Sequence, residues 1–120
     1  MVNLPYLTQD LFWVGDSKKK LSGFSEEIRS EMGFSLWLIQ NGETPQNSYP
    51  LKGLGSGVRE IKSDYMTDTY RTVYIAKLKR GVYVLDSFQK KSKKGKGLPK
   101  HITDRIKKRL IKAKEFDKGA

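Results

Sequence analysis

The stretch that most constrains this chain is residues 58–89. It reads as three β-forming segments joined by connections too short for a crossover. Val58 to Asp64 comes first. Thr69 to Lys77 follows through the turn Tyr65-Met66-Thr67-Asp68, and Gly81 to Gln89 follows through Lys79-Arg80-Gly81. Such short links make consecutive strands antiparallel neighbours, so the segments form a meander. Residues 69–77 and 82–88 carry apolar side chains at both parities. That predicts a central sheet covered on both faces.

The covering elements are legible on either side. Ser25 caps a helix whose first turn holds Glu26 and Glu27, favourable at the positive dipole end. Ile28, Met32, Leu36 and Ile39 recur at helical spacing, with Trp37 and Leu38 widening the stripe, and Asn41-Gly42 is the stop. Before it, Asp10 to Gly15 reads as a first strand and Ser17 to Leu21 as a brief helical turn. Residues 43–57 are rich in turn chemistry, with room for a short strand from Tyr49 to Lys52. Pro99 opens the last helix, in which Ile102, Ile106, Leu110, Ala113 and Phe116 form an apolar stripe among lysines. The order is strand, helix, helix, three or four strands, helix. It predicts one α+β domain over residues 1–120, with helices on an antiparallel sheet of about four strands.

The chain has 120 residues and no cysteine, so disulfides, a thiol nucleophile and Cys-ligated zinc are excluded. The N-terminus lacks a signal-like apolar run, and no segment is long enough to span a bilayer. A cytoplasmic protein with no membrane partner is expected. Net charge is +11, unevenly spread: residues 1–88 hold 11 Lys/Arg against 10 Asp/Glu, residues 89–120 hold 13 against 3. A chain polarised this way calls for an acidic partner.

Little conventional catalytic equipment is present. His101 is the only histidine, in the first turn of the last helix, and reads as a solvent-facing or capping residue. No metal set or cofactor motif is present. Gly53-Leu54-Gly55-Ser56-Gly57 lacks the Lys-Ser/Thr of a phosphate loop and precedes a strand, so its glycines are turn residues. The basic residues carry more information. Phe88-Gln89-Lys90-Lys91-Ser92-Lys93-Lys94-Gly95 leaves a core strand directly, Arg71 lies in the neighbouring strand, and Arg59 in the one before. Convergence of Arg59, Arg71 and the lysine run is expected, forming an ordered polyanion site. A structural reading stands beside it. Arg59 and Arg71 are also candidates to pair with Glu60, Asp64 or Asp86, Lys93, Lys94 and Lys96 to solvate a loop, and Tyr70, Tyr74 and Tyr83 to pack the sheet. Charge and spacing lead to a nucleic-acid-binding α+β domain, not to catalysis.

Several strings together resemble a known family. They are Leu11-Phe12-Trp13-Val14-Gly15-Asp16-Ser17-Lys18-Lys19, Gln40-Asn41-Gly42-Glu43-Thr44-Pro45, Pro50-Leu51-Lys52-Gly53-Leu54-Gly55, Tyr70-Arg71-Thr72-Val73-Tyr74 and the lysine-rich string from Phe88 to Gly95. In this order they resemble the phage-derived, Gp49-like branch of the HigB toxins, within the RelE/ParE superfamily. The resemblance implies a RelE-like fold, with two N-terminal helices and a C-terminal helix around a twisted antiparallel sheet. It implies ribosome-dependent mRNA cleavage, and a HigA-like helix-turn-helix antitoxin that binds operator DNA in complex with the toxin. The antitoxin either covers the site or blocks access to the ribosome.

The chemistry so implied is attack of a ribose 2′-OH on its own 3′ phosphate, with Lys, Arg and Tyr in place of paired histidines. By position Arg71 matches the strand arginine that stabilises phosphate, Arg59 a basic residue of the preceding strand, and Lys90 or Lys91 the basic residue after the last core strand. Gln89, Lys93, Lys94 and Lys96 fall to RNA or ribosome contact. A lysine base needs a depressed pKa, which like-charge crowding favours. No tyrosine follows the lysine run, so the general acid is unassigned. A ParE-like gyrase inhibitor and a non-catalytic nucleic-acid binder are the alternatives. The lysine run and Arg71 favour the nuclease.

Overall fold

In the computed structural model, residues 8–90 and 97–119 are described. The chain forms β1 (Asp10–Trp13), α1 (Ser17–Ser22), α2 (Glu26–Gln40), β2 (Ser48–Pro50), β3 (Val58–Tyr65), β4 (Asp68–Ile75), β5 (Gly81–Lys90) and α3 (Lys100–Lys118), in that order. The expected meander is β3-β4-β5. Its first turn is tight: Tyr65 pairs with Asp68, and Met66 takes a left-handed φ of 60° between them. That turn fixes the register of the whole hairpin, including Lys62 opposite Arg71 and Arg59 opposite Tyr74.

The sheet has five strands in the order β1-β5-β4-β3-β2 and is mixed, not antiparallel. β1 runs parallel to β5, from Asp10 opposite Gly81 to Trp13 opposite Val84. A short apolar run with no hairpin partner carries no signal of direction. The chain leaves β1 through two helices and reaches β5 only after three further strands, as a parallel pairing requires. Gly81 permits the docking, because a Cβ there would overlap the carbonyl of Asp10. β2, the short strand foreseen near Tyr49, pairs antiparallel with β3 at the opposite edge.

Both faces are covered. One cluster joins Ile28, Met32, Leu36 and Ile39 of α2 to Ile61, Tyr74, Val82 and Val84. The other joins Ile102, Ile106, Leu110 and Ala113 of α3 to Val58, Val73, Ile75, Tyr83, Leu85 and Phe88. Truncating a residue such as the fully buried Ile106 to Ala costs about 2–5 kcal/mol in layers of this kind. Alternation gives Val82 and Val84 to one cluster and Tyr83 and Leu85 to the other, and a bulge at Leu85 then keeps Phe88 on the α3 face. Val73 pairs with Asp86 and Tyr74 with Val84, so the inward parity switches along the strand.

Local signals explain the helix ends. The Ile28 N–H donates to Ser25 Oγ at 3.4 Å, the expected cap of α2. Trp37 does not join the buried stripe; it is exposed and stacks on Phe34 at 6.0 Å. Pro99 sits one residue before α3. At its far end Phe116 is half-exposed, and Asp117 takes the buried place. Its carboxylate accepts the N–H groups of Lys79 and Arg80 at 2.9 and 2.8 Å and the Tyr83 hydroxyl at 2.9 Å. Nearer the start of α3, the fully buried Asp86 carboxylate meets Arg105 at 2.8 Å, Lys20 at 3.2 Å and Arg109 at 3.4 Å. These two carboxylates hold α3 along the sheet, antiparallel to β5. No helix among the described residues is long and apolar enough to cross a membrane.

Candidate nucleic-acid interface

Strand alternation sorts the basic residues onto two faces. From the register, Glu60 and Lys62 of β3, Arg71 of β4, and Phe88 and Lys90 of β5 share the face that α3 covers. Phe88 belongs to the same buried cluster as Ile102 of α3, so the charged group borders the α3 core. Arg71 Nη1 donates to Glu60 Oε1 at 2.8 Å, with the side chains 14% and 9% exposed. A pair this enclosed holds its geometry better than a surface pair. The Arg71 Nε–H is buried with no partner among the described residues. Leaving such a donor unmet costs about 1–3 kcal/mol. Lys62 Nζ sits 5.4 Å from the ring centroid of Tyr49, at the β2 side of the same face.

Lys90 completes the group. Burial pulls its ammonium pKa below the ordinary lysine value of 10.5; Arg71 and, more weakly, Lys62 pull the same way, against Glu60. The shift has the direction that like-charge crowding favours, with desolvation ahead of that crowding as its cause. Three cations, Lys62, Arg71 and Lys90, share this face with two carboxylates, the enclosed Glu60 and the exposed Asp64, which accepts from Thr69 Oγ1 at 2.8 Å. A fixed guanidinium with a donor in reserve and a lysine nearer to proton exchange are groups that can meet a phosphate.

Arg59 is not part of this group. It pairs across from Tyr74, on the α2 face, and its Nε and Nη2 donate to Ser48 Oγ at 3.0 Å and to the Ser48 carbonyl at 3.2 Å. The expected convergence of Arg59 with Arg71 fails because they stand at opposite parities in the hairpin. Gln89, opposite Tyr70, also faces away from Arg71 and is exposed. Lys91, Lys93, Lys94 and Lys96 lie outside the described residues. Of the alternative ion pairs, Arg71 with Glu60 forms. Tyr74 and Tyr83 are buried packing residues, and Tyr70 packs edge-on against Phe24 at 4.9 Å. His101 is exposed in the first turn of α3.

Glu60, Lys62 and Tyr49 were missed as site members by sequence reasoning. The turn Tyr65-Met66-Thr67-Asp68 held the signal: counting back from it sets Lys62, not Arg59, opposite Arg71.

Residues 19–111 match the family described as Phage derived protein Gp49-like (DUF891). No curated protein and no solved structure gave a match. The matched span runs from α1 into α3 and contains every residue of the Arg71 group. The chain belongs to the Gp49-like family of phage-derived proteins.

Proposed function

We propose that this protein is the toxin of a type II toxin–antitoxin pair of the RelE/HigB kind, a nuclease that cuts mRNA on the ribosome. The observation that carries the reading is Arg71. It is oriented by Glu60 at 2.8 Å, keeps an unspent buried Nε–H, and shares one sheet face with Lys62 and Lys90.

In this reading a ribose 2′-OH loses its proton and its oxygen bonds to the adjacent phosphorus. The bond from phosphorus to the 5′ oxygen then breaks. The products are a 2′,3′-cyclic phosphate and a 5′-hydroxyl, with the proton returned to the leaving oxygen. Arg71 donates to the phosphoryl oxygens as negative charge builds on them. Glu60 is a positioning residue that fixes the guanidinium plane. Lys90, drawn below the usual lysine range, exchanges the proton at the scissile group. Lys62 neutralises the incoming backbone. Lys91, Lys93, Lys94 and Lys96 are the further cations of the sequence assigned to the message and the ribosome. The antitoxin is a helix-turn-helix protein that carries the complex to operator DNA.

Induction in a bacterium followed by mapping of mRNA 5′ ends tests this. New ends inside translated codons, absent for Arg71→Ala, support it. Intact mRNA accompanied by an SOS response favours gyrase inhibition and removes the nuclease reading.

A further inference from the structure

Arg59 occupies a second site on the other face of the sheet. Two bonds to Ser48 lock its guanidinium against β2. A guanidinium has five N–H donors, so the remainder meet no acceptor among the described residues. Ser48 Oγ lies 2.5 Å from the Tyr74 hydroxyl, and both residues are buried. These two hydroxyls have two protons and one mutual bond. Arg59 already donates to Ser48, so one hydroxyl proton also lacks an acceptor. If Ser48 donates to Tyr74, the spare proton is that of Tyr74.

Arg59 and Tyr74 line a cleft of about 460 Å³, a size typical of small-ligand pockets. Its walls include Ile39, Pro50, Val58 and Ala76, with Lys77 adding a second cation and Glu43 a carboxylate. Glu43 makes no ion pair with Arg59 among the described residues. Among the charged side chains of the lining the cleft therefore has two cations, Arg59 and Lys77, against one carboxylate, beside an apolar wall. A hydrated phosphodiester chain gains nothing from that wall. A carboxylate on an aliphatic or aromatic stem uses both parts: fork bonds from Arg59 for the charge, the spare hydroxyl proton of the Ser48–Tyr74 pair for a second lone pair, and the apolar wall for the stem.

We infer that the Arg59 cleft binds a carboxylate carried on an apolar body, separately from the phosphate site at Arg71. That group is supplied either by a free organic acid or by an Asp/Glu side chain flanked by aliphatic residues in a partner peptide.

The test is an NMR titration of the isotope-labelled full chain, following backbone amides and arginine Nε–H signals. The probes are 3-phenylpropanoate, a capped Leu-Glu-Leu tripeptide and inorganic phosphate. Both carboxylates are expected to shift Arg59 Nε–H and the Tyr74 and Ala76 amides saturably, with Arg71 Nε–H unmoved. Phosphate is expected to act at Arg71 instead. Arg59→Gln weakens carboxylate binding at least tenfold. Tripeptide binding ten times tighter than that of the free acid assigns the site to a protein partner; equal or weaker binding assigns it to an organic acid. No saturable shift at Arg59 with either carboxylate, or an equal shift with phosphate, overturns the inference. Should Arg59→Gln fail to fold, the wild-type titration alone decides.

Discussion

Lys62 stands directly across from Arg71 in the β3–β4 ladder, two like charges on one sheet face, with Glu60 gripping Arg71 from the diagonal at 2.8 Å. Like charges directly opposite destabilise a sheet. Their presence at the mouth of the α3 core is a cost to the fold, which the proposed phosphate site accounts for. Lys62→Thr is accordingly expected to hold or raise stability, by up to about 1 kcal/mol, while slowing RNA cleavage roughly tenfold. Urea unfolding and a cleavage assay on the same preparation check both halves. A variant that loses stability and keeps full activity contradicts the assignment.

Arg71→Ala removes the proposed donor to the developing charge and is expected to slow cleavage by about 10²–10³-fold. Arg71→Lys keeps the charge without the fork and is expected to recover little. Circular dichroism separates this from unfolding.

Glu60→Gln acts on Lys90 as well as on Arg71. Glu60 raises the Lys90 pKa against burial and Arg71, so its loss drives that pKa lower still. If protonated Lys90 feeds the leaving oxygen, activity falls as pH rises through its pKa. The alkaline limb of the pH–rate profile then moves to lower pH in Glu60→Gln. An unmoved limb separates Lys90 from that role.

Asp86 offers a stability test remote from the chemistry. Its carboxylate is fully buried among Lys20, Arg105 and Arg109. Asp86→Ala leaves Lys20 and Arg105 without their carboxylate, while Arg109 keeps Asp16 at 2.6 Å, and is expected to cost about 3–5 kcal/mol, read as a fall in the urea midpoint. A loss below 1 kcal/mol would show that α3 is held by its apolar stripe and Asp117 without need of Asp86.

Tyr83 reports on the other end of α3. Burial, with the Asp117 carboxylate beside it, pushes its phenol up to about 12 from an ordinary 10.0. The folded state thus favours the neutral phenol. Its contribution to stability is full below pH 10 and is lost as pH rises from there through about 12. Absorbance titration should show one tyrosine ionising late, and Tyr83→Phe should remove that step and flatten the alkaline loss of stability.

Much of this architecture was legible because it is local. Ser25 and the turn at Met66 act within a few residues, and the stripe from Ile102 to Ala113 repeats at helical spacing. The parallel docking of β1 on β5 depends on partners at opposite ends of the chain, and nothing near Leu11 signals it. Trp37 was read into a buried stripe because hydropathy does not distinguish a core aromatic from one stacked outside on Phe34. The site was half legible: residue type marked Arg71 and Lys90, while proximity in sequence misplaced Arg59. Alternation along β3 separates Arg59 from Arg71 and brings Glu60 and Lys62 to it.

The most direct test of the central claim uses purified protein and ribosomes programmed with a short end-labelled message. Wild-type protein is expected to cut within the translated codons, leaving a 2′,3′-cyclic phosphate upstream and a 5′-hydroxyl downstream, while folded Arg71→Ala/Lys90→Ala protein leaves the message whole. An intact message with the wild type, or undiminished cutting by the folded double variant, contradicts the account.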